Sequence, residues 1–594
     1  MAAHSMPSLS RFVFIHTNRM NQLLTRPTII LLLVLLASGA ARAQAPTWAW
    51  GVTLGNTDDD EVNAIASDAS GNVYAVGTFQ DNVDFDPGPG SALFSANGVD
   101  AFMLKLDDAG ALVWAKRLTG SGHQWAQCIA VDPAGNVYVA GQLGITPIDM
   151  DPGPGTFMLN ATSSYDVFVM KLDNAGDFVW AKAMGGNSTE LPNEMTTDAN
   201  GHVYVCGRYV SDSVDFDPGP GTHMLVSNGG WDAFVVELDT DGNFVWANSV
   251  GSDTTGYTEE ALSIAVDDDG DVFVTGVFAD TVDFDPGPAV VEIVAVEHMD
   301  MFVTKYNTDG DLVWARSIGG PYTQQGGAIA IDADANILIT GGFSSGTDFD
   351  PNAGVVIANA WLSDLFVLKL DSATNFQWVR TVGETANQHT YGDALRTDAY
   401  GNIFLACDFT GSMDADPGPG TLNLNSAGGS DVLMMKLDAA GSMQWISTMQ
   451  GSAADKPSSM VLGNTGSLYV AVNYNSPDLA FGGIMVNNAG GSSGTPDMLI
   501  ARLDSTDLAT GLVVMDPTHP EVMAYPDPFT DQLVVGGCNT RDELRLLDMS
   551  GRCVLHERAL GTSTTLHTAL LKSGVYVLEL GRGTTVLRSK VVKE

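Results

Sequence analysis

The sequence predicts an all-β chain: a seven-bladed β-propeller followed by a small C-terminal β-sandwich. Three recurring strands predict the propeller. A tryptophan strand returns as Trp48, Trp114, Trp180, Trp246, Trp314, Trp378 and Trp445, at intervals of 66, 66, 66, 68, 64 and 67 residues. A second strand opens with Asp100, Asp166, Asp232, Asp300, Asp364, Asp431 and Asp497, clearest as DAFMLKLD, DVFVMKLD and DAFVVELD. A third reads GNVYAVG, GNVYVAG, GHVYVCG and GNIFLAC at 71–77, 135–141, 201–207 and 401–407, with weaker copies in the other units. A fixed period of this kind marks a repeat architecture.

Ahead of the repeats, Arg11, Arg19 and Arg26 precede an apolar run from Ile29 to Ala37, and Ala41-Arg42-Ala43 follows. Basic region, apolar run and small-x-small site together read as an export signal over residues 1–43, cleaved after Ala43. The apolar run is shorter than the roughly 20 residues a membrane-spanning helix needs. No later segment is long and apolar enough, so the mature chain is expected to be exported with no transmembrane segment.

Residues 44–516 are read as the propeller. Each unit holds four strands rich in Val, Tyr, Phe and Trp, residues that favour β structure. The runs are nearly continuously apolar, as in sheets covered on both faces. Strands one and two are joined by Asp-x-x-Gly turns such as Asp68 to Gly71, and strands three and four by turns such as Asp107 to Gly110. There Asp caps the turn and Gly takes the left-handed position. The mature chain begins with a Trp strand before any complete unit, and the seventh unit reaches Asp497 to Asp504 without one. A closed ring explains the offset, because the first strand completes the last blade and removes an open edge.

The chain carries 71 acidic residues against 27 Lys and Arg, a net charge of −44, although only 16% of residues are charged. That balance excludes nucleic acid as a partner, since its recognition needs clustered Lys and Arg. Of the five cysteines, Cys206 and Cys407 share one repeat position inside apolar strands and read as buried small hydrophobes. Cys538 and Cys553 flank a predicted hairpin and are the candidate disulfide; Cys128 has no evident partner.

Six units carry an insert between strands two and three. It reads DFDPGPG or a close variant and holds the carboxylate pairs Asp84 and Asp86, Asp149 and Asp151, Asp215 and Asp217, Asp283 and Asp285, Asp348 and Asp350, and Asp414 and Asp416. Asp-x-Asp in extended chain puts both carboxylates on one face about 7 Å apart. Such pairs are candidate ligands for a hard cation, calcium. The competing reading is a rigid Asp and Pro-Gly turn with its middle residue packed inward.

In an up-and-down blade alternate connections lie at opposite ends. The Asp-x-x-Gly turns therefore share one face, and the inserts and inter-blade loops share the other. The inter-blade loops vary most and carry His123, Trp125, Tyr257, Tyr322, His389 and Tyr391. This loop face is the expected binding surface, with a surface glycan or a protein as ligand.

The repeat resembles the bacterial SBBP-type β-propeller repeat, through its Asp-x-x-Gly-Asn-Val-Tyr-Val-x-Gly and Asp-Ala-Phe-Val-x-Lys-Leu-Asp-x-x-Gly-x-x-x-Trp runs, over about Trp48 to Asp516. That resemblance implies the fold and little chemistry. After a linker at 517–524 the composition changes. Residues 525–594 carry a net charge of +1 against −49 for 44–524. A charge break of this size marks a domain boundary. The module resembles the type A sorting domain of the Bacteroidetes type IX secretion system. The match rests on Tyr525, Pro526, Pro528 and Phe529, then Asp548, Gly551 and Arg552, then Gly574 and Tyr576, and on the basic tail with Lys590 and Lys593. Asp527 stands where that family usually has Asn. The resemblance implies a small β-sandwich recognised by type IX secretion machinery, reached via the periplasm, with the passenger released or held at the outer surface.

Catalysis requires unlike residues that converge. No HExxH, GxSxG or clustered Cys/His pattern is present, and the ten histidines do not form an equivalent ring. The sequence is therefore read as a secreted or surface binding and scaffold protein, not an enzyme. A propeller hydrolase or lyase and a calcium-stabilised structural protein are the alternatives.

Overall fold

The computed structural model describes residues 46–120, 124–227, 229–252, 258–360, 363–383, 388–389, 395–463, 466–491 and 494–504. From the C-terminal part it describes 513–514, 523–525, 532–536, 540, 542–548, 552–559, 563–569, 571–572, 574–582 and 585–593. The leader and its cleavage site at Ala43 lie outside the described residues.

The first blade is the antiparallel sheet Glu61–Ser67, Val73–Asp84, Leu93–Leu106 and Leu112–Arg117, in that spatial order. Five more blades repeat this order along the chain. Their first strands are Trp125–Val131, Glu190–Thr197, Glu260–Val266, Gln325–Ile331 and Leu395–Thr397. The seventh blade opens with Asp455–Leu462, continues through Leu468–Tyr474 and Asp497–Asp504, and takes Thr47–Leu54 as its outer strand. The first strands pack each against the next, and Asp455–Leu462 packs back on Glu61–Ser67. The ring is closed.

Register corrects one detail of the repeat. Lys105, Lys171 and Glu237 pair with Trp114, Trp180 and Trp246, and the equivalent Arg502 pairs with Trp50, not Trp48. A bulge between Trp48 and Trp50 places Trp48 opposite Leu503, where other blades put residues such as Phe178 and Phe244. Two tryptophans flank the bulge, and spacing alone selects the wrong one.

Blades are sewn together at the turn face. Trp50 Nε1 donates to Asp108 O of the neighbouring blade at 3.0 Å, Trp114 Nε1 to Asn174 O at 3.2 Å and Trp180 Nε1 to Thr240 O at 3.1 Å. Asp68 Oδ1 accepts the N–H groups of Ser70 and Asn72, and Asp132 Oδ1 those of Ala134 and Asn136. Gly71 and Gly135 hold φ of 82° and 86°. The fifth blade departs from this, with Ala335 at φ 59° and Thr374 at φ 64°.

The C-terminal part contains two four-stranded antiparallel sheets. One orders Val513–Val514, Met523–Tyr525, Gln532–Gly536 and Ser563–His567; the other orders Cys553–Arg558, Glu543–Asp548, Gly574–Arg582 and Thr585–Lys593. Leu533, Val535, Leu544, Leu546, Leu566 and Leu578 form its core. Tyr525 ends one strand, Asp548 ends another and pairs with Tyr576, and Gly574 pairs with Lys593. Tyr576 is buried and donates its hydroxyl to Lys572 O at 2.7 Å. Lys590 pairs with Val577, Lys593 is buried and Arg552 is exposed. Pro526, Pro528, Phe529 and Gly551 lie outside the described residues. Cys553 is a free, exposed thiol, and Cys538 lies outside the described residues. Cys128, Cys206 and Cys407 are buried in the propeller and form no disulfide with one another.

Candidate functional site

The inserts are β-hairpins that reach across to the preceding blade. Gly185 pairs with Asp215 and Gly451 with Leu479, while Thr119 bridges Asp149, Ser252 bridges Val282 and Gly319 bridges Asp348. In every copy the first carboxylate caps the hairpin from inside. Asp84 Oδ1 accepts Asp86 N–H at 3.1 Å and Ala92 N–H at 2.7 Å, which holds its carboxyl below the usual range. Asp149, Asp215, Asp283, Asp348 and Asp414 do the same two and eight residues ahead. The second carboxylate turns the chain: Asp86, Asp151, Asp217, Asp285, Asp350 and Asp416 each accept the N–H two residues on. The residue between them is fully buried, as Phe85 is against Phe79 and Phe102 at 5.3 and 4.8 Å. N–H donors thus occupy one oxygen, Oδ1, of each carboxylate. Among the described residues no group of three or more His, Cys, Asp or Glu is arranged to hold a metal. These hydrogen bonds fit the rigid-turn reading, a self-capped staple between blades.

Of the six loop-face aromatics and histidines, the structure brings Trp125 into a cluster. Its ring meets Tyr165 at 5.2 Å and 68°. Tyr322 is 54% exposed. His389 lies on the short strand Gln388–His389, paired with Asp408–Phe409, and nothing is described of its side chain. His123, Tyr257 and Tyr391 lie outside the described residues.

The neighbouring third blade supplies a group that sequence reasoning missed. The Arg208 guanidinium lies 4.7 Å from the Trp231 ring centre, and its Nη1 donates to Glu260 Oε2 at 3.1 Å. Asn193 Nδ2 donates to Glu260 Oε1 at 2.9 Å. Trp231 occupies the repeat position of Tyr165, directly before the Asp that opens each third strand. Arg208 stands where the other blades have Thr78, Gln142, Val277, Gly342, Asp408 and Asn473. Arg208 is the one cation among these seven residues, which was the available signal.

The described first strands of all blades but the sixth share a bulge. Its extra residue is Asn63, Gln127, Asn193, Leu262, Gly327 or Ser458. Asn63, Gln127, Asn193 and Ser458 meet around a cavity of about 130 Å³. A larger hollow of about 500 Å³ opens on the turn face beside Asp68, Asp132 and Asp198. Those carboxylates are already consumed by turn N–H groups.

Carboxyl groups lie buried where blades meet on the loop side. Asp60 neighbours Asp497, Glu190 neighbours Asp166, Glu259 neighbours Asp232 and Asp455 neighbours Asp431; all eight are at most 2% exposed. Burial pushes Asp60, Glu190 and Glu259 up to about 7, and Asp300, Asp455 and Asp497 up to about 6. Two equivalent positions carry Gln124 and Gln324, the uncharged isosteres of a protonated Glu; Gln124 and Gln324 each donate a backbone N–H across to the third strand of the preceding blade, and Glu259 to Trp231 O just before it.

Fold and tail together define an exported β-propeller protein with a sorting module. Residues 523–594 match the family described as Secretion system C-terminal sorting domain, which makes this a secreted or cell-surface chain. Among curated proteins the chain is similar to an uncharacterized WD repeat-containing protein L264 of Acanthamoeba polyphaga mimivirus, at 21% identity over 73% of this chain and 36% of that one. It is also similar to the regulatory protein FlaEY of Caulobacter vibrioides, at 31% identity over 24% of this chain and 14% of that one. The chain thus spans well under half the length of these relatives. Solved structures with similarity include Sqt1 from Chaetomium thermophilum, at 10% identity and TM-score 0.36 over 78% of this chain and 99% of that one. PorZ, an essential surface component of the type-IX secretion system of Porphyromonas gingivalis, shows 10% identity and TM-score 0.15 over 92% of this chain and all of that one. Among the described residues no helix is long and apolar enough to cross a membrane.

Proposed function

We propose that this protein is a type IX-exported binding and scaffold propeller that recognises a surface glycan through the loop face of its second and third blades. One observation carries the reading. Two half-buried indoles sit in adjacent blades, Trp125 beside Tyr165 and Trp231 beneath Arg208, with Glu260 and Asn193 alongside. Flat rings stack on the apolar faces of sugars, and the amide and carboxylate accept from hydroxyls. The protein binds its ligand without transforming it.

A protein ligand is the second reading. The return arms of the third to fifth inserts expose Met224, Val226, Val290, Val294, Val355 and Ile357. Clustered exposed apolar residues mark interaction surfaces.

Glycan-array binding of the mature chain, and of Trp125→Ala and Trp231→Ala, tests the proposal. Saturable binding lost in both variants supports it. No bound glycan, or binding untouched by either change, rejects it.

A further inference from the structure

The return arms of the inserts differ in what covers their outer edge. In the fourth blade the arm opens the strand Glu292–Tyr306. It pairs with the outgoing arm on one side only, Thr281 with Val294, Val282 with Ile293 and Asp283 with Glu292. Phe284 donates its N–H to Val291 O, which sets the alternation of the ladder. Opposed residues in an antiparallel pair exchange both hydrogen bonds or none, in turn. Glu292 and Val294 fall at the positions that exchange none. Their N–H and C=O groups point away from the hairpin.

Two other blades cap the equivalent carbonyl from their own fourth strand. Arg117 Nη1 donates to Ser95 O in the first blade, and Gln450 Nε2 to Asn425 O at 3.1 Å in the sixth. Ser95, Asn425 and Val294 hold one register position, opposite Asn82, Ser412 and Thr281. In the fourth blade Ser317 stands in place of Arg117 and Gly319 in place of Gln450. Neither side chain is long enough to repeat the cap.

The surface beside this open edge is apolar and acidic. Val290, Val294 and Val296 are half or more exposed, while Val291, Ile293 and Ala295 pack on the core. Residues 280–297 hold five carboxylates, Asp280, Asp283, Asp285, Glu292 and Glu297, and no Lys or Arg. Natural edges are shielded by Lys, Pro or a bulge. From Ala289 to Val294 this one has no Lys, no Pro and no register shift.

Charge selects the occupant. A second copy would set these carboxylates, and a charge of −49 over residues 44–524, against their own kind. A cationic strand meets complementary charge. We infer that the return arm Val290–Val296 is a docking edge for an extended segment of a partner protein in which apolar and basic residues alternate. The segment adds as a strand along Glu292 and Val294. Main-chain bonds supply affinity, the valines take its apolar side chains and the carboxylates its basic ones. This goes beyond the glycan reading; it deepens the protein reading given second above and rests on it.

The test titrates the mature full-length chain into two labelled nine-residue peptides, read by fluorescence anisotropy. In one valine alternates with lysine, in the other with glutamate. The lysine peptide should bind saturably with a Kd on the order of 100 µM, and the glutamate peptide at least about tenfold more weakly. Val294→Pro removes the outward N–H and spares the hairpin ladder. Ser317→Arg copies Arg117 and caps the carbonyl. Each should weaken the lysine peptide about tenfold, with the melting temperature retained. If Val294→Pro fails to fold, Ser317→Arg decides alone. Absence of binding, or equal binding of the two peptides, overturns the edge. So does a concentration-dependent dimer in place of peptide binding, which assigns the arm to a second copy. Binding that survives both changes but is lost in Met224→Ser and Val355→Ser overturns the edge and leaves the protein reading standing. Binding untouched by all four substitutions removes both.

Discussion

His202 Nδ1 lies 2.6 Å from Glu237 Oε1, and this pair reverses the polarity used in the other blades. Where Glu237 stands, the others have Lys105, Lys171, Lys305, Lys369, Lys436 and Arg502. Lys369 Nζ donates to Asp332 at 2.8 Å and Lys305 reaches Asp271 at 2.6 Å. His202 replaces the Asn that follows the turn glycine, as Asn72 and Asn136 do in their blades. The two changes compensate: a buried acid acquires a neighbouring imidazole.

A double-mutant cycle should therefore show strong coupling. Glu237→Lys alone and His202→Asn alone should each destabilise the propeller. Together they restore the common arrangement, with a coupling of about 1–3 kcal/mol. Additive losses in urea unfolding would show that the pair is not a unit.

Stability should fall on the alkaline side. Asp60, Glu190 and Glu259 are raised to about 7, while Asp300, Asp455 and Asp497 are raised to about 6. A carboxyl whose folded pKa is raised holds its proton in the native state while the unfolded chain has released it. Its contribution is complete below about pH 4 and is lost as pH rises toward 7. Asp68 and Asp332 are held low by their hydrogen bonds and act in the opposite sense at more acidic pH. The melting temperature should thus be higher at pH 5.5 than at pH 8. Glu190→Gln, which copies Gln124 and Gln324, should raise stability at pH 8 by about 1–3 kcal/mol and flatten the profile. A melting temperature that climbs from pH 5.5 to 8 would contradict the protonated state of these groups.

The inserts should be indifferent to chelators. Excess EDTA is expected to leave the melting temperature unchanged, since the chain's own N–H groups already cap the Oδ1 atom of each insert Asp. Asp348→Asn keeps an acceptor for Asp350 and Val356 and should be nearly silent. Asp348→Ala should cost about 1 kcal/mol. A chelator-induced drop would restore calcium to the account.

Ring closure rests on Thr47–Leu54 pairing with Asp497–Asp504. Removing residues 44–54 should expose that edge and promote self-association. A synthetic peptide of the missing strand should return the truncated chain to monomer, read by light scattering. A truncated chain that stays monomeric and equally stable would show that the strand is dispensable.

The fold was legible because the repeat recurs with nearly constant spacing and one identity pattern per strand. The choice of Trp48 over Trp50 failed because a bulge drops one residue from the pairing, and spacing does not register that. Trp125 was found as an aromatic in a variable loop. Its neighbour Tyr165 was not, since the two are 40 positions apart and meet through the order of strands in one sheet. The bulge residues left no trace, because six strands use Asn, Gln, Asn, Leu, Gly and Ser at that point. The inserts left two readings open, because an Asp-x-Asp pair reads alike whether its oxygens face a cation or the chain's own amides.

A circle joined by its own two extremities has a seam that belongs to neither half of the polypeptide. The eight residues Thr47–Leu54 are stitched to a strand just ahead of the export module. Both must therefore reach the same compartment before the seventh sector can exist. Proteolytic nicking near residue 55 would unzip the circle at that joint while leaving the other six sectors covalently whole.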